Sequence, residues 1–493
     1  DLELGRECTG TRAISTVKAP RKRVHENEWF TLSCRIRVVR QIDQVAQTDA
    51  RLAQGRVVVK GHPAVTAQIS LGGVSAGTRG AGSDAGFCRA MAESGLTLVN
   101  LAGTRGDAAS VLELTGIQNV AALASQPLEI ELNLPLADGE AILPLAFDGQ
   151  HVVLGGMPEQ TAEGGTLVRI DHLPATLDNR RSLGGSLKLY FFKTWLKRTD
   201  VNRLRWVEAL PDGSVLQHDD GVAGKVAAAQ RVLLLVHGII GDTAGMSQGA
   251  VDCGLHEKFD LVLSYDYENL STPIADTARA LKAALQAVGL HADDSKHLSL
   301  LVHSMGGLVS RWFIEREGGQ AVVDHLVMCG TPNGGSPFGR VDEARQLVAR
   351  LTEVAANHLP GLLPFSAAVL FLLNRSRQLT PALEQMNPTS AFIQALNQSP
   401  DPGVRYTILA GDVGAYHQPG DPLFARLLAQ AGQSRAIDAL FDQQPNDIAV
   451  GVASILAVNT PRQRAPTQVH VPCHHLNYFV CEAGQLALKS VAW

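Results

Sequence analysis

The spacing of apolar residues changes along the chain and divides it into two parts. Before about residue 180, short runs in which apolar and polar residues alternate are separated by turn-forming residues, as in antiparallel strands. The predicted strands cover residues 29–39, 55–59, 67–71, 96–101, 128–134, 141–147 and 167–170. This pattern predicts a β-rich, sandwich-like domain over residues 1–180.

Later in the chain, continuous apolar runs alternate with helical patterns. Residues 232–236, 260–265, 299–302 and 325–329 have the composition of buried strands, and residues 274–288 repeat Ala, Leu and Lys at helical spacing. Strands that alternate with helices predict an α/β domain with a mostly parallel sheet. We assign this domain to residues 181–493, and we expect two strand-like runs, residues 187–195 and 202–209, to form its first hairpin.

The alternation stops between residues 341 and 397, where the sequence is helical and rich in leucine. This segment lies between two predicted strands of the sheet. Its position and apolar character predict a helical cap or lid over a binding site. Ordinary core packing or a contact between two copies of the chain would have the same composition, and both alternatives stay open.

The most informative motif lies where the strand at residues 298–302 ends. His303-Ser304-Met305-Gly306-Gly307 follows it, and an amphipathic helical run begins after the serine. A serine on a sharp turn between a strand and a helix is exposed to a base, and this exposure can activate an otherwise weak nucleophile. Val302 stands where the usual Gly-x-Ser-x-Gly motif has its first glycine, and a serine that only caps a helix is the structural alternative.

A second motif lies about seventy residues upstream. The apolar run at residues 230–236 is followed at once by His237-Gly238-Ile239. A serine that attacks a carbonyl group needs two backbone N–H groups directed at the oxyanion. Met305, which follows the serine, and Ile239, in the loop after the earlier strand, are the candidates for these donors.

These motifs, with Gly330-Thr331-Pro332-Asn333-Gly334-Gly335-Ser336, resemble those of α/β-hydrolases of the bacterial lipase and esterase type. The resemblance extends from about Ala229 to the C-terminus and leaves the first 180 residues unassigned. It implies a Ser-His-Asp triad in the chain order serine, acid, histidine.

The resemblance also ranks the candidates for the other two triad members. Cys473-His474-His475-Leu476-Asn477-Tyr478 matches the pattern Cys-x-His-x-x-Tyr and favours His475, with His474 as the alternative. Asn446-Asp447 resembles the loop that carries the acid in several lipase families, although Ile448 replaces a glycine there. Asp412, at the end of a predicted strand, is the alternative acid, and either aspartate could instead be an ordinary loop residue.

The bulk properties narrow the classes of partner and cofactor. The 493 residues exceed the size of one core, and a formal net charge of −5 argues against nucleic acid as a partner. We predict no cofactor and no metal site, because Cys473, His474 and His475 have no second cluster of ligands to complete a zinc site. No apolar run is long enough for a transmembrane helix.

The seven cysteines are odd in number and widely spaced, which favours a reducing compartment and therefore the cytoplasm. The sequence begins with Asp1, so secretion after removal of a signal segment stays open as the alternative location.

The sequence therefore predicts a serine hydrolase that cleaves an ester, of a lipid or of another acyl compound. Ser304 would be the nucleophile, His475 the base and Asp447 the acid. A thioesterase, an amidase or peptidase, and an acyltransferase would use the same residues and remain alternatives. A non-catalytic interaction protein on a hydrolase scaffold is the alternative from another class, and the β-rich domain is a candidate site for a protein partner.

Overall fold

The structure is a computed structural model of the chain. It describes residues 38–41, 48–74, 84–102, 110–137, 139–147, 152–161, 164–173, 185–195, 201–292, 295–376, 379–415, 441, 444–459 and 461–493. These residues belong to one compact unit, Arg37–Trp493. The division at residue 180 therefore stays a prediction, and most of the predicted strand at residues 29–39 lies outside the described residues.

The described residues before position 196 are mostly strands. They are β1 (Val38–Gln41), β2 (Ala50–Leu52), β3 (Val57–Val59), β4 (Thr66–Gly72), β5 (Thr97–Leu98), β6 (Val111–Gln118), β7 (Leu128–Leu132), β8 (Glu140–Phe147), β9 (Val152–Leu154), β10 (Met157–Gln160), β11 (Thr166–Ile170) and β12 (Gly185–Trp195), with one helix, α1 (Asp84–Glu93).

These strands form two antiparallel sheets. One has the order β1-β4-β6-β12-β8-β9, with β5 also paired to β12, and the other has the order β10-β11-β7-β3-β2. Ile69 and Leu114 from the first sheet share an apolar core with Ile130 from the second. Burial of the alternating apolar positions in this core explains the period-two pattern of the sequence.

The expected hairpin between residues 187–195 and 202–209 is wrong. Strand β12 pairs with β6 on one side and with β8 on the other, and so belongs to the seven-stranded sheet. The physical reason lies in its composition: Leu189, Tyr190 and Phe191 are all fully buried, so both faces of β12 need cover. A strand of this kind is stable in the middle of a covered sheet and not at its edge.

A third sheet contains β13 (Arg203–Ala209), β14 (Val215–His218), β15 (Arg231–Val236), β16 (Leu261–Asp266), β17 (His297–His303), β18 (Val323–Cys329), β19 (Arg405–Gly411) and β20 (Thr467–Val471). Its order is β14-β13-β16-β15-β17-β18-β19-β20. The six strands from β16 to β20 in this order are parallel, whereas β13 and β14 are antiparallel. Across all three sheets, antiparallel pairings are the majority.

Helices cover this third sheet and connect its strands. They are α2 (Val222–Ala228), α3 (Thr243–Asp252), α4 (Ile274–Ala287), α5 (Met305–Arg316), α6 (Val341–His358), α7 (Leu363–Ser376), α8 (Pro381–Gln385), α9 (Ala391–Asn397), α10 (Val452–Leu456) and α11 (Glu482–Ser490). In β15, Val232 and Leu234 belong to one apolar core, and Leu233 and Leu235 to another. A parallel strand with both faces covered is apolar throughout, and this accounts for the continuous apolar runs.

Helices α6 to α9 form one insertion between β18 and β19 (the helical insertion, residues 341–397), and the helical character predicted for this segment is present. The side chain of Asn357 pairs with both backbone groups of Val152: its Oδ1 accepts the N–H at 2.8 Å, and its Nδ2 donates to the carbonyl at 2.6 Å. Val152 lies in the edge strand β9. An amide side chain therefore takes the place of a neighbouring strand and protects that edge.

Candidate active site

Ser304 lies at the tight connection between β17 and α5. Its backbone angles are φ 52° and ψ −127°, and its N–H donates to the carbonyl of Cys329 in the neighbouring strand at 2.9 Å. A positive φ is uncommon for a residue other than glycine, and it is a form of local strain that concentrates at functional sites. Val302 is an ordinary residue of β17, paired with Val236 and Met328, and needs no glycine-like conformation.

Close packing around the turn explains the two glycines after Met305. A Cβ atom on Gly306 would overlap the carbonyl oxygen of His237, and one on Gly307 would overlap the side chain of Thr331. Helix α5 can therefore approach the loop after β15 and the loop after β18 only because both positions lack side chains. This is the local reason why the sequence folds into a sharp turn at Ser304.

Three predicted residues form a continuous chain of hydrogen bonds. His475 Nε2 lies 2.9 Å from Ser304 Oγ, and His475 Nδ1 lies 2.7 Å from Asp447 Oδ2. Ser304 and His475 are each 3% exposed, and Asp447 is 0% exposed. The imidazole can therefore accept the hydroxyl proton of the serine while its other nitrogen donates to the carboxylate, which is the arrangement of a serine nucleophile with its base.

Both oxygens of the Asp447 carboxylate accept hydrogen bonds. Its Oδ1 accepts the N–H groups of Ala449 at 3.1 Å and Val450 at 2.7 Å, and Tyr478 donates its hydroxyl to Oδ2 at 3.0 Å. The Tyr478 hydroxyl itself accepts the N–H of Gly411 at 2.7 Å. These contacts fix the carboxylate in the orientation that faces His475, and sequence reasoning assigned no role to Tyr478.

Backbone contacts hold His475 in place. Its N–H donates to the carbonyl of Asp447 at 2.8 Å, and its own carbonyl accepts from Nε2 of His303 at 2.7 Å. Burial, and to a smaller degree the nearby His475, lower the pKa of His303 from 6.5 to about 3. His303 is therefore neutral at physiological pH, and with its proton on Nε2 it anchors the histidine loop without adding charge.

The loop after β15 lies beside the serine, because a Cβ on Gly238 would come within 2.7 Å of Ser304 Cβ. The N–H of Tyr267 donates to His237 Nε2 at 3.1 Å, so His237 carries its proton on Nδ1, which donates to the Gly238 carbonyl at 2.7 Å. In a trans peptide the C=O and the following N–H point in opposite directions. Fixing the Gly238 carbonyl therefore also fixes the direction of the Ile239 N–H.

A second contact stabilises the same loop. The amide of Asn269 donates from Nδ2 to the Ile239 carbonyl at 2.7 Å. Because β15 and β17 are parallel neighbours, the segments with Ile239 and Met305 leave the sheet at the same edge. The two predicted oxyanion donors are thus on adjacent loops. Asn269 was not singled out from the sequence, since nothing marks a polar residue in a loop as a contact of a distant backbone.

The alternative residues occupy other positions. His474 uses Nδ1 to accept the N–H of Leu476 at 3.2 Å, and the structure brings His475 to Ser304 instead. Asp412 accepts the N–H of Gly414 at 2.9 Å in a local turn. Burial raises the pKa of the Cys329 thiol far above its usual range, so this thiol is not a competing nucleophile.

The helical insertion approaches the loop with Ile239. Leu362, in the turn between α6 and α7, has a methyl group 3.1 Å from the position of a Cβ on Gly241. The low exposure of Ser304 and His475 agrees with a covered site. Among the described residues, no group of three or more His, Cys, Asp or Glu side chains is arranged to hold a metal ion. In the same part of the chain, every helix is too short or too polar to cross a membrane.

The chain belongs to a family described as a domain of unknown function, DUF7379, whose model matches residues 200–491. The match begins just before β13 and includes the whole third sheet with Ser304, Asp447 and His475. A search of curated proteins finds no match.

Solved structures with detectable similarity include several esterases and lipases. The lipase BlEst2 of Bacillus licheniformis in its mature form is 17% identical, with 59% of this chain and 96% of that chain covered and a TM-score of 0.35. EstA of Clostridium botulinum is 11% identical, with 53% and 86% covered and a TM-score of 0.36. The phospholipase PlaB of Legionella pneumophila is 17% identical, with 46% and 45% covered and a TM-score of 0.31.

Proposed function

We propose that this protein is a serine hydrolase of the α/β-hydrolase type that cleaves an ester of a lipid or of another acyl compound. The observation that carries the proposal is the hydrogen-bonded chain from Ser304 through His475 to Asp447. Ser304 lies on a strained turn at the carboxyl edge of a parallel sheet, where ligands bind in open α/β folds.

In the proposed reaction, His475 Nε2 takes the proton of Ser304 as Oγ attacks the ester carbonyl. The carbonyl oxygen becomes an oxyanion, which the N–H groups of Ile239 and Met305 stabilise. His475 then gives its proton to the departing alcohol oxygen as the C–O bond breaks, which leaves an acyl group on Ser304. Water attacks this acyl-enzyme, His475 takes the proton of that water and returns it to Oγ, and the carboxylic acid leaves.

Asp447 takes no proton in either step of the proposed reaction. Its Oδ2 accepts from Nδ1 of His475 and keeps the proton-accepting nitrogen directed at Ser304. It also stabilises the imidazolium that forms when the serine proton is transferred. The backbone donors on Oδ1 and the hydroxyl of Tyr478 hold the carboxylate, so no reorganisation is needed when the positive charge appears.

The preference for an acyl substrate is supported by the helical insertion. Helix α7 has the sequence Leu-Pro-Phe-Ser-Ala-Ala-Val-Leu-Phe-Leu-Leu-Asn-Arg-Ser, and Leu362 precedes it beside Gly241. Each methylene that an acyl chain buries contributes about 0.8 kcal/mol. We propose that the insertion acts as a lid and moves to admit the substrate, and that the β-rich residues holding it are the place where a protein partner would act.

The test is covalent labelling with a fluorophosphonate probe, with and without detergent micelles to open the insertion. The wild type should be labelled, and Ser304→Ala should not. Ser310→Ala is the matched control. It removes another buried serine on the helix that follows Ser304, and the hydroxyl of Ser310 has no hydrogen-bond partner among the described residues. It should be labelled like the wild type. Equal labelling of folded Ser304→Ala, or no labelling of the wild type under either condition, would contradict the proposal.

A further inference from the structure

A cavity of about 710 Å³ lies at the end of the third sheet opposite to Ser304. Its lining includes Arg231, His297 and Arg405, which are the first residues of β15, β17 and β19. Ser304 follows the last residue of β17, so the two places are roughly 20 Å apart, since a strand rises about 3.3 Å per residue. The cavity is therefore separate from the candidate active site.

Positive charge dominates the cavity. Arg231, Arg405 and Arg464 contribute three guanidinium groups, and among the described residues of the lining Asp324 is the one carboxylate. Asp324 is already in contact with His297, whose Nδ1 lies 3.0 Å from Oδ2. Within the described part of the chain, none of the three arginines forms a direct ion pair. Asp324 and Asp260 offset part of the charge of Arg405 and Arg231 from a greater distance, and the lining as a whole stays positive.

The orientation of Arg405 depends on a neutral partner. Its Nη2 donates to Nδ1 of His325 at 2.8 Å, and Nε2 of His325 donates to Thr407 at 2.9 Å. Burial and the charge of the nearby Arg464 lower the pKa of Arg405. The protein thus holds two like charges near each other and fixes one of them with an imidazole, an arrangement that a bound anion would relieve.

Aromatic rings form another part of the lining. Phe259 and Trp493 pack edge to face with their ring centroids 5.5 Å apart, and the guanidinium of Arg231 lies 5.3 Å from the centroid of Phe259. The rest of the lining is largely polar, so these rings supply the apolar side against which the organic part of a small molecule can pack. Guanidinium groups match the geometry of phosphate oxygens and bind them through paired hydrogen bonds.

We propose that this cavity binds a small organic phosphate, with Arg405 and Arg464 on the phosphate group and Phe259 and Trp493 against the organic part. The excess of positive charge favours a group with two negative charges over a carboxylate, which has one. The concave shape and the aromatic lining favour a small molecule over an extended polyanion. The proposal is independent of the chemistry at Ser304.

Isothermal titration of the full chain with inorganic pyrophosphate, at constant ionic strength, tests the proposal. The wild type should bind, and Arg464→Gln should bind at least roughly tenfold more weakly, because a charge-assisted hydrogen bond is lost. Arg340→Gln is the matched control, since Arg340 is an exposed arginine at the start of α6 and is not part of the cavity lining. It should bind like the wild type.

Two results would overturn the proposal. One is the absence of pyrophosphate binding to the folded wild type. The other is an equal loss of affinity in Arg464→Gln and Arg340→Gln, which would show non-specific attraction to surface charge. Titration with sodium acetate separates phosphate recognition from general anion binding: acetate affinity equal to that of pyrophosphate would also contradict the proposal. A Ser304→Ala background should leave the result unchanged.

Discussion

Tyr478 donates its hydroxyl hydrogen bond to Asp447 at the same oxygen, Oδ2, that faces His475 Nδ1. Both side chains are completely buried. The carboxylate oxygen is therefore shared between a histidine that must gain charge during the proposed reaction and a tyrosine that stays neutral. Burial and the charge of Asp447 raise the pKa of Tyr478 far above its usual range, so the hydroxyl remains a donor at all working pH values.

Replacing Tyr478 with Phe should lower kcat by at least roughly tenfold, because one donor that orients Asp447 is lost and a hydrogen bond to a charged group contributes about 1.5 to 3 kcal/mol. KM should change little, because the tyrosine does not face the substrate. Ester hydrolysis under steady-state conditions measures both constants.

Tyr406→Phe is the control for this substitution. It also removes a buried tyrosine hydroxyl from a carboxylate, Glu315, at 2.8 Å, but away from Ser304. Both variants should lose similar stability on urea unfolding, and only Tyr478→Phe should lose activity. A similar fall in kcat for the two variants would show that the effect is structural and not specific to Asp447.

The choice between the two aspartates gives a second prediction. Asp447→Asn should reduce kcat by about 10⁴-fold, as the same change of the triad carboxylate does in serine proteases, because the imidazole is no longer held in the correct tautomer. Asp412→Asn should keep most of the activity, since Asp412 contacts the N–H of Gly414 in a local turn. The decisive measurement is kcat for both folded variants with one ester substrate. A larger loss of kcat in Asp412→Asn than in Asp447→Asn would assign the role of the triad acid to Asp412.

Much of the third sheet, and the grouping of the candidate residues at one edge of it, could be predicted, because parallel strands and a sharp turn leave local signals. Ser304, the loop with Ile239, and the histidine loop all carried motifs of a few adjacent residues. The first of these motifs departed from the usual pattern at Val302, and the structure shows why this is tolerated: Val302 has an ordinary strand conformation. The glycines of the motif allow neighbouring segments to pack closely around the serine. Here Gly238, Gly306 and Gly307 allow this close packing.

The features that were predicted wrongly, or not predicted, depend on contacts between residues that are distant in the sequence. Strand β12 was assigned to the wrong sheet because its neighbours β6 and β8 come from earlier in the chain, and β6 itself was not predicted. The roles of Asn269 and Tyr478 depend on hydrogen bonds over 30 and 31 positions of sequence. The local sequence contains no information about such partners, so these roles became visible only in the folded chain.

A third prediction concerns acid sensitivity. Burial, with Arg405 and Arg464 nearby, lowers the pKa of His325 from 6.5 to about 3. Between these values the unfolded chain binds a proton that the folded protein does not, so the free energy of unfolding falls as the pH falls, by up to about 1.4 kcal/mol per pH unit. Above pH 6.5 both states are neutral, and this contribution is absent.

Urea unfolding of wild type and His325→Gln at pH 7.5 and pH 5 measures the effect. The wild type should lose roughly 2 kcal/mol more than the variant over this interval. His291→Gln serves as the control, because the side chain of His291 is exposed. Its pH dependence should match that of the wild type. The same dependence in His325→Gln would contradict the lowered pKa.

A fourth prediction concerns the acid loop, where Ile448 has φ 84°. This left-handed conformation is unfavourable for a β-branched residue and costs about 1 to 2 kcal/mol relative to glycine. Ile448→Gly and Ile448→Ala both lose the contacts made beyond Cβ, but only glycine releases the strain. The glycine variant should therefore be more stable than the alanine variant by about 1 kcal/mol, as measured by thermal unfolding.

At Gly245 we expect alanine to give the more stable protein. Gly245 lies in α3, has no positive φ, and leaves open space where a Cβ atom would be. There, Gly245→Ala should stabilise the protein by about 0.5 to 1 kcal/mol. If alanine were the better residue at both positions, the strain assigned to Ile448 would be wrong.

The last prediction tests whether the β-rich residues hold the helical insertion over Ser304. In Asn357→Leu the N–H and C=O of Val152 lose their partners, which costs about 1 to 3 kcal/mol. If the insertion covers the site, weakening this contact should raise the rate of fluorophosphonate labelling several-fold without detergent, and the difference should disappear in micelles that open the wild type. Arg340 precedes the same insertion and its side chain is 62% exposed, so Arg340→Gln should be labelled at the wild-type rate. If Asn357→Leu were destabilised but labelled at an unchanged rate, the prediction would be wrong. The insertion would then open in the wild type without breaking the contact between Asn357 and Val152.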